Sequence, residues 1–362
     1  MVKNFKSASI VIFVTIYSLI FAELFVRIFD PQPLIPRYIM DSGFGIRGNI
    51  PNASYRHVTE EVDVEMRINS VGMRDDRNVS AQKEHDKCRV GIFGDSFFMS
   101  YEVSIEDSFA YRLEKMLSEA GHECEVLNFA VSGFGTAESI IQYENFARNY
   151  ELNYAVLEWH HTDVDDNVRS ALYKIEGDQV LRAADEFLPG VATRQKLMSF
   201  AVYRWLIQYS HLYASVREKL ALFVKALVVD INTVLTSSDE LVVSQDLKNQ
   251  AKPKEEPHYT LHSLLVSKFI SRAARDDVKT IVLDVPSKLF DGSLKSSFDY
   301  LKGNFSVQPN FCSPLSYLTE LNERGTKIFF EKGHKHFTPK GYNALSQSAS
   351  DCLIEIMNAE LQ

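Results

Sequence analysis

Three observations predict an α/β fold built on a parallel sheet covered on both faces. Short apolar runs recur at residues 89–93 (RVGIF), 125–129 (EVLNF) and 154–159 (YAVLEW). Helix-length segments at 107–120 and 136–149 separate them. After a long irregular stretch the same pattern resumes with a helix at 261–275 and a strand at 279–285 (KTIVLDV). Buried strands of this length alternating with helices are the pattern of a parallel sheet between helical layers.

Each element has its own signal. Residues 8–22 (ASIVIFVTIYSLIFA) are apolar and uncharged. The stretch extends to Phe29 if Glu23 and Arg27, four apart on a helix, neutralise each other. That reaches the roughly 20 residues a bilayer helix needs. Lys3 and Lys6 precede it, so the N-terminus is expected inside and the body outside, periplasmic in a Gram-negative cell. Ile20 sits where a signal peptidase prefers a small residue, which favours an uncleaved anchor over a signal peptide. A Pro-rich stalk, 31–36 (PQPLIP), is expected to be extended and stiff. A small β-rich lead-in follows, with its best strand at 62–68 (VDVEMRI) and a turn at Asn69, Ser70, Val71 and Gly72. The first sheet helix begins near Glu106 and Asp107, and Thr136 is expected to cap the second. Residues 168–257 break the alternation and read as a helical insertion. Trp205, Tyr209, Tyr213, Leu220 and Phe223 recur there at helical spacing, as a face packed on the domain, a lid, or a surface resting on the membrane. Its end, 237–257, is polar and reads as a solvated loop. Thr338 and Pro339 open the last helix, expected to reach about Met357. The organisation is therefore a cytoplasmic tip and anchor over 1–30, a stalk and lead-in over 31–87, and an α/β domain over 88–362 carrying the insertion.

Composition narrows the partners. The chain has 362 residues, 45% hydrophobic, and a net charge of −9, enough for a sizeable core. Basic residues are scattered, which argues against a nucleic-acid surface. Nothing in the sequence specifies an oligomeric state. Cys88 and Cys124 fall in or beside predicted strands and read as small apolar core residues, whereas Cys312 and Cys352 could pair in an oxidising compartment.

The chemistry-bearing residues lie where strands end. Gly94-Asp95-Ser96 follows the first strand, and Gly94 permits a sharp turn at the sheet edge where ligands bind in open parallel sheets. Asn128 to Gly135 follows the second strand, and the Gly133 N–H is free to approach an oxyanion. His160, His161, Thr162 and Asp163 follow the third. His334 and His336 precede the last helix. A serine hydroxyl needs a base to become a nucleophile, histidine suits that task, and the developing oxyanion needs donors already aimed at it. Asp163, Asp165 and Asp166 lack regular ligand spacing and read as helix capping or solvated charge rather than a metal site. Asp95 reads as a turn hydrogen-bonder. His160 and His161 are structural or substrate-contacting.

With these segments in this order the chain resembles the SGNH (GDSL-type) hydrolases, closest to membrane-anchored bacterial members with an Asn-Ser-x-Gly-x-Arg lead-in, here Asn69, Ser70, Gly72 and Arg74. The resemblance runs from about Asn69 to Cys352, interrupted by the insertion. It implies a three-layer α/β/α sandwich with a flavodoxin-like parallel sheet of about five strands. By it Ser96 is the nucleophile, His336 the base, and the N–H groups of Ser96 and Gly133 part of the oxyanion hole. Two positions depart from the family. Thr162 stands where an Asn side chain donates to the oxyanion. No Asp precedes His336 at the family spacing, leaving a backbone carbonyl to orient the ring, or His334 as the base with Glu331 three residues before it. The function expected is ester hydrolysis or acyl transfer, without metal or organic cofactor, on an acylated cell-envelope glycan or lipid. The alternative is a catalytically degenerate glycan-binding or scaffold protein.

Overall fold

The computed structural model describes residues 2–84, 87–177, 179–217, 219–220, 256–301, 305–332 and 336–360. The chain opens on helix α1 (Val2–Phe29). Its apolar stretch, Ser9–Phe29, is long enough to cross a membrane and lies wholly outside the protein core. The Glu23–Arg27 pair expected from the spacing forms at 2.9 Å.

Two hairpins make the lead-in, β1 (Ile39–Asp41) with β2 (Arg47–Asn49) and β3 (Ser54–Val58) with β4 (Asp63–Arg67). The expected free stalk is not there. Leu34, Ile35 and Pro36 are buried, and Leu34 exchanges backbone hydrogen bonds of 2.7 and 2.8 Å with Val58. Three apolar residues in six favour packing over an exposed rod.

The domain proper runs β5 (Cys88–Phe93), α2 (Phe109–Glu119), β6 (Cys124–Asn128), α3 (Thr136–Asn145), β7 (Tyr154–Trp159) and α4 (Asp163–Ser170). Next come a hairpin, β8 (Tyr173–Glu176) and β9 (Gln179–Arg182), and helices α5 (Val191–Met198), α6 (Ala201–Tyr209) and α7 (211–217). The insertion is therefore part hairpin, not wholly helical. Phe223 and residues 237–255 of its expected polar loop lie outside the described residues; the last two, Glu256 and Pro257, open the next helix instead. The chain resumes with α8 (Glu256–Ala274), β10 (Lys279–Asp284), a short hairpin of β11 (Ser287–Lys288) and β12 (Leu294–Lys295), β13 (Asn310–Cys312), α9 (Leu315–Glu323) and α10 (Pro339–Glu360).

Five parallel strands form the central sheet in the order β13-β10-β7-β5-β6. On one face α2 and α10 bury Phe109, Leu113, Leu345 and Leu353 against Val90 and Val126. On the other, α3 and α8 bury Ile140, Leu265 and Phe269 against Leu127 and Leu157. Each such side chain stabilises the fold by roughly 1.5–3 kcal/mol. This is the expected three-layer α/β/α sandwich with flavodoxin-like strand order. The order reverses between β5 and β7, which opens a crevice at their carboxyl ends.

Local capping explains the helix starts. Ser108 caps α2 by accepting from the Tyr111 N–H. Gly135, not Thr136, is the cap residue of α3, because Glu138 Oε2 reaches back to the Gly135 N–H at 3.1 Å. Cys88 and Cys124, expected to be free core residues, pair directly across β5 and β6 with Cα atoms 4.4 Å apart. Cys312 and Cys352 also pair, tying edge strand β13 to α10.

Candidate active site

The loop bearing Ser96 leaves β5 through Gly94. A Cβ at Gly94 would overlap the Glu158 carboxyl on neighbouring strand β7, so only glycine fits. The Asp95 N–H donates to Glu158 Oε2 at 2.7 Å, and Asp95 Oδ1 accepts from the Phe97 N–H at 2.8 Å. This is the turn-bonding role expected of Asp95. Burial pushes the Glu158 carboxyl well above the carboxylate range, and the charges of Asp95 and Asp163 push it further. Asp163 moves the same way, through burial and then Asp95; its Oδ2 accepts from the His160 N–H at 3.0 Å. Asp163, Asp165 and Asp166 occupy the first turn of α4.

Ser96 Oγ lies 2.9 Å from His336 Nε2. The two residues expected to meet therefore do, across the sheet edge. The other ring nitrogen, His336 Nδ1, lies 3.0 Å from Glu102 Oε2. Glu102 is 1% exposed and sits on the same loop as Ser96. No sequence signal pointed to it. A carboxylate only accepts, so it holds the proton on Nδ1 and leaves Nε2 bare toward the serine. The expected gap before His336 is thus filled from another loop, and neither a backbone carbonyl nor Glu331 orients the ring. His334 lies outside the described residues. Ser100 and Glu102 both have positive φ, 55° and 67°, a conformation that costs non-glycine residues energy and persists only where the surroundings impose it.

Those surroundings come from the lead-in. Arg74 is buried at the base of the Ser96 loop. Its guanidinium donates to the carbonyls of Met99 and Ser100, and to that of Val103 at 2.6 Å. Asn69 holds its own turn through Oδ1, which accepts from the N–H groups of Val71 and Met73, and Gly72 there has φ 88°. The Asn-Ser-x-Gly-x-Arg segment therefore aims one arginine at three carbonyls of the loop bearing Ser96 and Glu102.

The loop after β6 is gripped in the same way. Arg47 donates to the Gly133 carbonyl, and Asn49 Nδ2 donates to the Ala130 carbonyl at 3.3 Å. Asn128 Nδ2 donates to the Phe98 carbonyl at 3.0 Å, linking this loop to the Ser96 loop. Gly133 has φ 77°. Among the described residues the N–H groups of Ser96 and Gly133 donate to nothing. Arg47 also faces Glu138, at 3.7 Å. That is too long for a hydrogen bond, so burial dominates and raises the Glu138 carboxyl to about 7 despite the guanidinium.

Thr162 differs from expectation. Its Oγ1 lies 2.7 Å from His160 Nδ1, so the hydroxyl is engaged with a neighbouring ring. His161 Nδ1 lies 2.8 Å from Ser287 Oγ. The His160 ring stands 4.8 Å from that of Phe97. Phe97, His160, Ser287, Leu289, Phe290 and Phe330 are among the residues lining a cleft of about 440 Å³ beside Ser96. Glu331 is exposed at its rim, and its N–H donates to Glu61 of the lead-in at 2.8 Å.

No family model and no curated protein sequence matches the chain. Its fold is similar to solved structures of GDSL-type esterases and lipases. TesA is 12% identical, with 73% of this chain and 97% of that one covered at a TM-score of 0.39. The psychrotrophic esterase EstA from Pseudoalteromonas is 8% identical, with 75% and 98% covered at 0.37. A chain described as a GDSL-like lipase from Parabacteroides merdae is 8% identical, with 74% and 95% covered at 0.37. At such values the functional reading rests on the site's own geometry.

Proposed function

We propose that the chain is a serine esterase of the SGNH type, held on the outer face of a membrane by α1. The relay from Ser96 through His336 to Glu102 carries this reading. Ser96 Oγ attacks an ester carbonyl carbon while His336 Nε2 takes its proton. Glu102 stabilises the imidazolium that forms. The Ser96 and Gly133 N–H groups hold the oxyanion. His336 then protonates the departing alcohol, and the acyl group on Ser96 passes to water or to a hydroxyl acceptor. The carboxylate that Glu102 brings to His336 favours catalysis over the binding-protein alternative, which was motivated by a missing Asp and by Thr162; the first of these no longer applies, and the second stands.

Location supports the substrate class. The α1 helix is knit into the body through Glu23, as a retained anchor would be, and two cystine bridges suit an oxidising compartment. An anchored, outward-facing esterase with a largely apolar cleft suits an O-acylated glycan or lipid of the cell envelope. Fluorophosphonate labelling tests the chemistry. The wild-type chain is expected to label at Ser96, and Ser96→Ala and His336→Ala to lose the label. A folded wild-type chain that never labels overturns the proposal.

A further inference from the structure

Three arginines share a second pocket, none of whose lining residues lines the cleft beside Ser96. Arg37, which follows α1, Arg194 on α5 and Arg217 at the end of α7 line a depression of about 280 Å³. Ile35, Met198 and Ile207 form its apolar walls, and no carboxylate lines it. Among the described residues, none of the three guanidinium groups has an ion pair or a hydrogen bond. Other arginines are matched by carboxylates, among them Arg77 with Asp75 and Glu114 and Arg89 with Glu125. Burial depresses Arg194, and the charges of Arg37 and Arg217 depress it further. Three clustered cations with no counter-charge among the described residues suit an added anion, and planar guanidinium groups fit phosphate oxygens in pairs.

The surroundings say where that anion comes from. Glu23, near the outer end of α1, accepts from Ser210 Oγ at 2.7 Å and from the His211 and Leu212 N–H groups at 3.0 Å each. It thereby caps α7, while Arg27 donates to the Tyr209 carbonyl at 2.6 Å. The α6–α7 junction is thus bolted to α1 through two charged residues in the last turns of its apolar stretch. Beside the junction Phe200, Val202, Trp205 and Tyr209 are all exposed, by 56, 71, 52 and 45%. Aromatic side chains flanking the end of an apolar helix mark the level of the headgroups. Arg37 and Arg217 are close in sequence to this joint, Arg37 after α1 and Arg217 on α7 itself.

We propose that Arg37, Arg194 and Arg217 bind the phosphate of an anionic phospholipid headgroup, with α5–α7 lying along the surface of the leaflet in which the outer end of α1 is seated. This rests on α1 being a membrane span and is independent of the reaction at Ser96.

The test uses the full-length chain in neutral detergent, with native mass spectrometry counting phosphatidylglycerol or phosphatidylcholine retained. The wild type is expected to keep phosphatidylglycerol in preference to phosphatidylcholine. Arg194→Gln and Arg217→Gln are each expected to weaken retention about five-fold, the effect of one arginine near a charged headgroup. Arg37→Gln, which leaves all three helices untouched, keeps the test open should either helix variant misfold, and Arg324→Gln, outside the pocket and paired with Glu320, serves as control. Equal retention by wild type and pocket variants overturns the proposal. So does occupancy by inorganic phosphate with no preference between the lipids, which would mark a site for a free anion.

Discussion

Glu102 and His336 are separated by 234 positions in sequence, yet the carboxylate of one lies 3.0 Å from Nδ1 of the other. Ser96 and Glu102 share a loop, and the imidazole arrives from the far end of the chain. Glu102→Gln keeps the size of the side chain and removes its charge. The amide can also offer a donor to Nδ1 and turn the ring to the wrong tautomer. We expect kcat on a soluble aryl ester to fall about 10³–10⁴-fold with KM little changed, as for the equivalent change in other triads. A loss within tenfold would show that Glu102 does not orient the base.

Arg74 should matter without touching substrate. Lysine carries the same charge but one nitrogen, and cannot reach the Met99, Ser100 and Val103 carbonyls together. Arg74→Lys is expected to lower stability by about 2–3 kcal/mol, the cost of buried carbonyls left unsatisfied. Activity should drop because Ser100 and Glu102 relax from their positive φ. Urea unfolding and kcat on the same preparation check this. Unchanged values in both would remove the arginine from the site's support.

Glu138 gives a pH signature. Its folded-state value is about 7 against an ordinary 4.5. The folded chain therefore holds this proton more tightly than the unfolded chain does. Its contribution to stability is fully present below about 4.5 and is lost as pH rises through about 7. The full span is at most about 3 kcal/mol, from 1.36 kcal/mol per unit. Glu138→Gln removes the dependence, so the variant gains on the wild type between about pH 4.5 and 7.5. Parallel stability curves for the two proteins would contradict it.

Gly94→Ala tests the close approach of β5 and β7. A methyl group there meets the Glu158 carboxyl, and overpacking of this kind costs about 1–3 kcal/mol or more. We expect a lowered melting temperature together with a displaced Ser96, seen as slower fluorophosphonate labelling at temperatures where both proteins are folded. A variant as stable and as reactive as wild type would mean the strands separate freely at this point.

The sheet was legible because its strands are buried on both faces and read as continuous apolar runs. The edge strand Asn310–Cys312 was not, since three residues carry no period. The β8–β9 hairpin did have a signal, Gly177-Asp178 between two short alternating runs, hidden among helical neighbours. Ser96, Gly133 and His336 were readable because each stands at a strand or helix end with glycine or a cap beside it. Glu102 was not readable. Its position depends on two left-handed backbone conformations and an arginine from another segment, and none of these leaves a trace in local spacing. Thr162 was read from its place in the family pattern, but its partner, His160, depends on side-chain directions that sequence does not carry.

The segment between the anchor and the sheet touches all three catalytic loops: Arg47 beneath Gly133, Arg74 beneath Ser96, and Glu61 against the backbone of Glu331 and Lys332 ahead of His336. It behaves as a jig rather than a spacer. Its Ile35, Tyr38, Tyr55 and Met66 are packed into the same core as the sheet, so any shift of this segment would be felt together by that core and by the loops that carry Ser96, Gly133 and His336.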